Sequence, residues 1–173
     1  MFLNSKKVAI AGLLLAMNVL LMFLSTAIES SSLFFIAAAS FSVGIVIREW
    51  GLKMGFGFLV ASILLNLFIS PNKLFCITLG GMETYLFFTE WLWRKIADKE
   101  VMSRRTLKLW IGKILIFNAI YLPILLSTKK FTDVSTIIAW AIGQVVFVIY
   151  DYAYRYFQGQ IWNKIRKETF KFL

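Results

Sequence analysis

Residues 8–26, with the sequence VAIAGLLLAMNVLLMFLST, decide the fold class of this chain. The run contains 19 residues and no charged side chain. A helix of about 20 mostly apolar residues spans the hydrocarbon core of a bilayer. Lys6 and Lys7 precede the run, as in a signal peptide, but no small-x-small cleavage site follows it. We therefore expect a retained first transmembrane helix.

Five further apolar runs follow, so the sequence predicts an all-α, polytopic membrane protein with six transmembrane helices. Apolar residues make up 60% of the 173 residues, charged residues only 16%, and the mean hydropathy is +0.76. A soluble domain of this length has too little interior to bury that much apolar surface. We expect one transmembrane domain, 1–157, and a basic, amphipathic cytoplasmic tail, 158–173. The predicted spans are 8–26, 33–47, 54–70, 74–93, 107–126 and 136–157, with Glu29 or Ser30 as an earlier start for the second.

The basic residues predict the orientation of the chain. With the N-terminus inside and six spans, 15 of the 19 Lys and Arg residues fall on cytoplasmic segments and three on outer loops, while Lys113 lies inside the fifth span. Lys and Arg gather on the cytoplasmic loops of membrane proteins. We therefore expect both termini in the cytoplasm, and the even number of spans agrees with this orientation.

The lack of histidine and the presence of a single cysteine exclude several kinds of metal and catalytic site. The chain has no histidine, and Cys76 is its single cysteine. Zinc sites of the Cys/His type, haem with histidine ligands and Ser-His-Asp or Cys-His catalysis are therefore excluded. We expect no catalytic residue, no metal and no cofactor. The net charge of +10 is typical of cytoplasmic loops that meet anionic membrane lipid, and we do not expect nucleic acid as a partner.

Polar side chains near the middle of five predicted helices form the candidate ligand site. Helices rise 1.5 Å per residue, and on that scale these side chains lie at similar depth, with two aromatic residues one turn nearer the outside. A carboxylate at this depth indicates function and needs a partner, either Lys113 or the ligand itself. The alternative is that the amides only hydrogen-bond between helices. The predicted ligand-binding residues are Asn18, Asn66, Glu83, Asn118, Tyr121, Trp140 and Gln144.

A second polar group lies nearer the cytoplasmic face, in helices four to six. Asp151 and Arg155 have the i,i+4 spacing of an ion pair within one helix. Lys113 is then placed to meet Glu90 on the neighbouring helix. We favour a structural charge network that locks the three helices together. A proton or ion relay is the alternative, because it also uses stacked carboxylates.

The first helix carries a face of small residues. Ala9, Gly12 and Ala16 fall within about 60° of arc at 100° per residue. Gly12 and Ala16 form a small-xxx-small pair, which lets another helix approach closely. Asn18 lies at least about 120° from this face. The small face thus predicts contact with a partner helix, or, alternatively, packing within the same chain.

The stretch KKVAIAGLLLA, residues 6–16, followed by five more helices in so short a chain, resembles the substrate-binding S component of energy-coupling factor transporters. The resemblance implies docking of Ala9, Gly12 and Ala16 on a transmembrane coupling subunit that works with ATPases. It also implies capture of a small, vitamin-like nutrient, a multi-pass location in the bacterial cytoplasmic membrane and no enzyme activity. The absence of a GxxxxGK[ST] motif agrees with an energy source outside the chain.

Two other functions stay open from the sequence. One is a membrane assembly or regulatory protein without a transported ligand, whose charged segment 94–106 and basic tail bind a cytoplasmic partner or anionic lipid. The other is a small ion-coupled carrier that uses Glu83, Glu90 and Asp151. The absence of an internal repeat argues against the carrier.

Overall fold

The structure is a computed structural model, and it describes residues 5–97, 102–128 and 136–164. Regular structure in these ranges is entirely helical, which confirms the all-α prediction. The second helix is preceded by a 3₁₀ turn where the sequence offered an earlier start. The elements are α1 (Ser5–Ala27), the 3₁₀ turn (Glu29–Ser31), α2 (Ser32–Trp50), α3 (Leu52–Ile69), α4 (Lys73–Ala97), α5 (Met102–Thr128), α6 (Thr136–Tyr156) and a π-helical segment (Phe157–Trp162).

Helix length and composition mark the chain as a membrane protein. Five stretches within the described ranges are long and apolar enough to cross a bilayer, and they correspond to α1, α2, α3, α5 and α6. Helix α4 is as long, at 25 residues, but Glu83 and Glu90 make it less apolar. The sixth span therefore stays a prediction, as does the orientation of the termini.

The distribution of apolar side chains also fits a lipid environment. Phe68 is 82% exposed and Ile137 is 77% exposed, whereas Asn18 and Glu83 are fully buried. A soluble protein keeps large apolar side chains inside and polar ones outside. At these positions the chain exposes apolar side chains and buries polar ones. In a bilayer it is polar groups, not apolar ones, whose exposure to the surrounding lipid costs free energy.

The helices fall into two compact units, divided between Ile120 and Tyr121. The first unit contains α1 to α4 and most of α5, and the second contains the end of α5, α6 and the π-helical segment. The sequence predicts a basic, amphipathic tail from residue 158, and the part of it that the structure describes is helical to Lys164. It also predicted a connecting segment at 94–106, where α4 in fact reaches Ala97 and α5 begins at Met102. Residues 1–4, 98–101, 129–135 and 165–173 lie outside the described ranges.

Helix α2 is the centre of the first unit, and it contacts α1, α3 and α4. Its small residues make this possible, since Ala39, Ser40 and Ser42 let the neighbouring backbones come close. Branched side chains on the same helix, such as Val43, fill the space between them. The apolar part of the core comprises Met22, Ile36, Ala39, Cys76 and Leu79.

Short links with specific turn residues join the helices of this unit. Gly51 alone separates α2 from α3, with a φ of 90° that L side chains rarely adopt. Pro71 follows the end of α3, as the sequence predicted, because proline cannot continue a helix. Asn72 then caps α4, since its Oδ1 accepts a hydrogen bond from the backbone N–H of Leu74 at 3.1 Å.

We expect Gly55→Ala to destabilise the first unit by about 1–3 kcal/mol, the usual cost of overpacking a core. A Cβ on Gly55 would lie 2.1 Å from Cγ1 of Ile47, which is itself fully buried. Gly57→Ala is the matched control, because a Cβ there meets nothing within 4 Å, and alanine favours the helix by up to about 1 kcal/mol. Thermal unfolding in detergent compares the two, and equal midpoints would contradict the close packing of α2 on α3.

Candidate functional site

A cluster of buried polar side chains joins the first four helices. We call it the polar cluster and define it by its members, each of which is at most 1% exposed. Helix α1 supplies one member, α2 one, α3 two and α4 one. The members are Asn18, Ser42, Ser62, Asn66 and Glu83.

Asn18 is the hub of the polar cluster, and its amide nitrogen contacts two helices. Nδ2 lies 2.9 Å from the backbone oxygen of Ala39 and 3.0 Å from Oγ of Ser42, both on α2. It also donates to Oε1 of Glu83 on α4 at 2.8 Å. Because its neighbours are all oxygens, the amide orientation is fixed by the hydrogen bonds around it.

The oxygen of the same amide connects α1 to α3. Oδ1 of Asn18 accepts a hydrogen bond from Nδ2 of Asn66 at 2.8 Å. The hydroxyl of Ser62 lies 3.1 Å from it as well. One side chain of α1 therefore holds all three of the other helices in the cluster by hydrogen bonds.

Glu83 finds its partners among these neutral groups. Its Oε1 accepts hydrogen bonds from Oγ of Ser62 at 2.6 Å and from Asn18. The sequence predicts Lys113 or a ligand as the partner of this carboxylate, whereas the partners of Oε1 in the structure are Asn18 and Ser62. The physical reason is the packing of α4 on α2 and α3, which turns Glu83 towards the serine and the amides.

Two members of the polar cluster, Ser42 and Ser62, are not among the ligand-binding residues predicted from the sequence. Both sit among alanines and glycines, where a small residue in a membrane helix usually serves close packing. The available signal was the i,i+4 spacing of Ser62 and Asn66, which places both on one face of α3. In the structure the two residues are hydrogen-bonded on that face, since Nδ2 of Asn66 donates to the backbone oxygen of Ser62 at 2.9 Å.

Three other predicted ligand residues are described within their own units. Asn118, in the first unit, is half-buried, and its Nδ2 donates to the backbone oxygen of Ile114 at 2.9 Å. In the second unit Gln144 is half-buried, and the indole of Trp140 is 41% exposed. The amide of Asn118 thus bonds back to its own helix, whereas the amides of the polar cluster cross between helices.

Tyr121 joins the two helices of the second unit. Its hydroxyl donates to the backbone oxygen of Ala139 at 2.8 Å. The phenol ring also lies against Gly143, where an added Cβ would come within 2.5 Å of it. Tyr121 therefore has a clear packing role between the end of α5 and the start of α6.

The charge network that the sequence predicts near the cytoplasmic face differs in part from its predicted form. Nε and Nη2 of Arg48 donate to Oε1 of Glu90 at 2.9 and 2.7 Å, which ties α2 to α4. The sequence predicts a contact of Glu90 with Lys113, and its ion pair with Arg48 is not among the predicted contacts. Arg94 strengthens the same junction by donating to the backbone oxygen of Ile47 at 2.6 Å, at the end of α2.

The other members of the predicted network lie on α5 and α6. Nε of Arg155 lies 3.1 Å from Oδ2 of Asp151, an i,i+4 ion pair with a fully buried carboxylate. Lys113 is buried, with its Nζ 5.8 Å from the centre of the Trp110 ring. The within-helix pair therefore has the geometry that its spacing predicted.

Helix α1 presents two different faces. Ala9, Gly12 and Ala16 are exposed, and a Cβ added to Gly12 would meet nothing within 4 Å. The opposite face is buried and carries the hub of the polar cluster. That buried face comprises Leu14, Asn18, Met22 and Ser25.

Comparisons with known proteins give no relative from which a function could be transferred to this chain. No family model, no curated protein and no solved structure matches it. Within the described residues, no three Cys, Asp or Glu side chains gather as they would around a metal ion. The polar cluster and the exposed face of α1 are therefore the two features on which a function can be built.

Proposed function

We propose that the chain is the substrate-binding membrane subunit of an uptake system whose energy comes from a partner complex, similar to the S component of energy-coupling factor transporters. The observation that carries the proposal is the division of α1 into a locked inner face and an open outer face. The ligand is a small nutrient captured from outside the cell. The proposed location is the bacterial cytoplasmic membrane, with six spans and both termini inside.

The inner face makes α1 a rigid platform. Asn18 ties α1 to α2, α3 and α4 through fully enclosed hydrogen bonds. Such bonds hold a helix in one position and rotation, since a shift would break several of them together. The outer face is therefore presented in a fixed direction.

The outer face suits another transmembrane helix. Glycine and alanine at small-xxx-small spacing let two backbones approach closely, and close packing is a main source of helix association in membranes. Gly12 and Ala16 have that spacing and are uncovered in the chain. Exposed Leu13 and Leu20 flank them and would pack around the partner helix.

In this proposal a partner supplies the energy, which agrees with the absence of a GxxxxGK[ST] phosphate-binding loop in the sequence. The occupant of the outer face is accordingly proposed as a helix of a transmembrane coupling subunit bound to ATPases. Asn18, Asn66 and Glu83 are enclosed by protein, so in this proposal they hold α1 rather than contact the nutrient. The nutrient site is proposed in the second unit, among Tyr121, Trp140 and Gln144.

We expect Gly12→Leu and Ala16→Leu each to reduce co-purification with the coupling subunit at least about tenfold, which corresponds to about 1.4 kcal/mol. A leucine at either position holds the helices apart and removes their close contact. Each variant should unfold at the wild-type temperature, because both positions are exposed and a Cβ at position 12 meets nothing within 4 Å. The measurement is pull-down from native membranes with a tag on this chain.

Gly57→Leu on α3 is the matched control, since Gly57 is equally exposed and uncovered. It should assemble like the wild type. Normal assembly of both α1 variants would overturn the docking face, and unfolding of either would show that the face is internal. Substrate transport by the purified chain alone in liposomes would favour the ion-coupled carrier instead.

A further inference from the structure

Two oxygens of the polar cluster are buried without a hydrogen-bond partner in the described parts of the chain. They are Oε2 of Glu83 and Oδ1 of Asn66. Their side chains are 0% and 1% exposed, so solvent does not reach them. A buried acceptor without a donor is costly, and two in one cluster call for an explanation.

The neighbouring hydrogen bonds show that both atoms are oxygens and not misplaced amide nitrogens. Nδ2 of Asn66 lies 2.8 Å from Oδ1 of Asn18 and 2.9 Å from the backbone oxygen of Ser62. Turning this amide over would set oxygen against two oxygens. Glu83 carries only oxygens, so the species that suits both atoms must be electropositive.

The cluster has no donor to spare for these oxygens. Both hydrogens of the Asn66 amide are used, and the hydroxyl of Ser42 donates to the backbone oxygen of Ala39 at 2.6 Å. The single hydroxyl hydrogen of Ser62 is used by Oε1 of Glu83, 2.6 Å away, or by Oδ1 of Asn18, 3.1 Å away. Asn18 has two amide hydrogens for three oxygen neighbours. The cluster is therefore rich in acceptors and poor in donors.

The charge of the cluster also indicates that an electropositive species binds there. Glu83 is its only ionisable member, and the groups bonded to it, Asn18 and Ser62, are neutral. A buried carboxylate without a positive partner is strongly disfavoured. Both Glu83 and Asn66 also contact one hydroxyl, Oγ of Ser62, at 2.6 and 3.4 Å. The carboxylate and amide groups are thus gathered around that hydroxyl.

We propose that the polar cluster binds one small monovalent metal cation, of the sodium class, through Glu83 Oε2 and Asn66 Oδ1. A set made only of oxygens suits a hard cation. One carboxylate balances one positive charge, whereas the divalent ions commonly bound by proteins take more carboxylates or retain waters. Enclosure by four helices restricts the site to a small ion. This site is separate from the docking face and does not rest on the proposed function.

The test is thermal unfolding of the purified full chain in detergent, with sodium chloride replaced stepwise by choline chloride at constant ionic strength. We expect the midpoint to rise with the logarithm of the sodium concentration, since a ligand that binds only the native state stabilises it. Glu83→Gln should abolish this rise. Glu90→Gln, which removes a buried carboxylate outside the cluster, should keep it.

Sodium-22 equilibrium binding to the wild type provides a second measurement, should Glu83→Gln fail to fold. One ion per chain, displaced by excess sodium chloride and not by choline chloride, supports the site. Equal midpoints in sodium and choline would overturn it, as would a sodium response that persists in a folded Glu83→Gln variant. Stabilisation by lowered pH alone, without a response to sodium, would assign the missing positive charge to a proton and also overturn the proposal.

Discussion

Asn18→Ala is expected to lower the free energy of unfolding by about 2–4 kcal/mol, because at least two buried groups each lose one of their hydrogen bonds, at about 1–3 kcal/mol each. These groups are Nδ2 of Asn66 and Oε1 of Glu83, which Asn18 contacts at 2.8 Å. The lower end of the range applies if the membrane-embedded unfolded state finds other partners for them. Unfolding in detergent, followed by circular dichroism, measures the change.

Asn118→Ala is the matched control, because this half-buried amide donates to its own helix at Ile114. Its expected cost is about 1 kcal/mol, because Asn118 is half-buried and Ile114 is exposed, and a lost hydrogen bond costs less where water reaches the groups. A similar cost for the two substitutions would mean that the bonds of Asn18 between helices are worth no more than one within a helix. The account of α1 as a locked platform would then fail.

Glu83→Leu and Glu83→Gln are expected to differ by about 2 kcal/mol or more in stability, measured without sodium. Leucine removes the oxygen that Asn18 and Ser62 share, and leaves their polar groups in an apolar setting. Glutamine keeps one oxygen for them and removes a buried charge, which is often neutral or favourable. We therefore expect Glu83→Gln to stay within about 1 kcal/mol of the wild type.

The comparison separates hydrogen bonding from charge at a single position. Equal and large losses for both variants would show that the negative charge itself stabilises the native chain. Equal and small losses would show that the carboxylate makes no important hydrogen bond. Either result would contradict the arrangement seen around Glu83.

The helices could be predicted from the sequence because their signals are local. Apolar runs of sufficient length predicted all six, and Pro71 marked the end of the third. The placement of α1 also followed from periodicity, which put Asn18 and Gly12 on different sides of one helix. The ends differed by a few residues, since charged residues such as Arg94 are tolerated in helices beyond the apolar core.

The partners of polar residues could not be predicted in the same way. Periodicity gives the face on which Glu83 lies, but not which neighbouring helix covers that face. The ion pair of Glu90 with Arg48 links residues 42 positions apart, and nothing in the local sequence indicates it. The hydrogen-bonding role of Ser62 could not be predicted for a different reason. Small residues in membrane helices serve close packing more often than hydrogen bonding.

The most direct test of the account is to cross-link position 12 of α1 in native membranes. Gly12→Cys in a Cys76→Ser background provides one thiol for a photo-activated cross-linker, and serine keeps the donor that Cys76 directs to the backbone oxygen of Asn66. The account predicts a cross-link to a different, larger membrane subunit that co-purifies with ATPases, and none from Gly57→Cys in the same background. A cross-link only to a second copy of this chain, or none at position 12 while the uptake system is present, would contradict it.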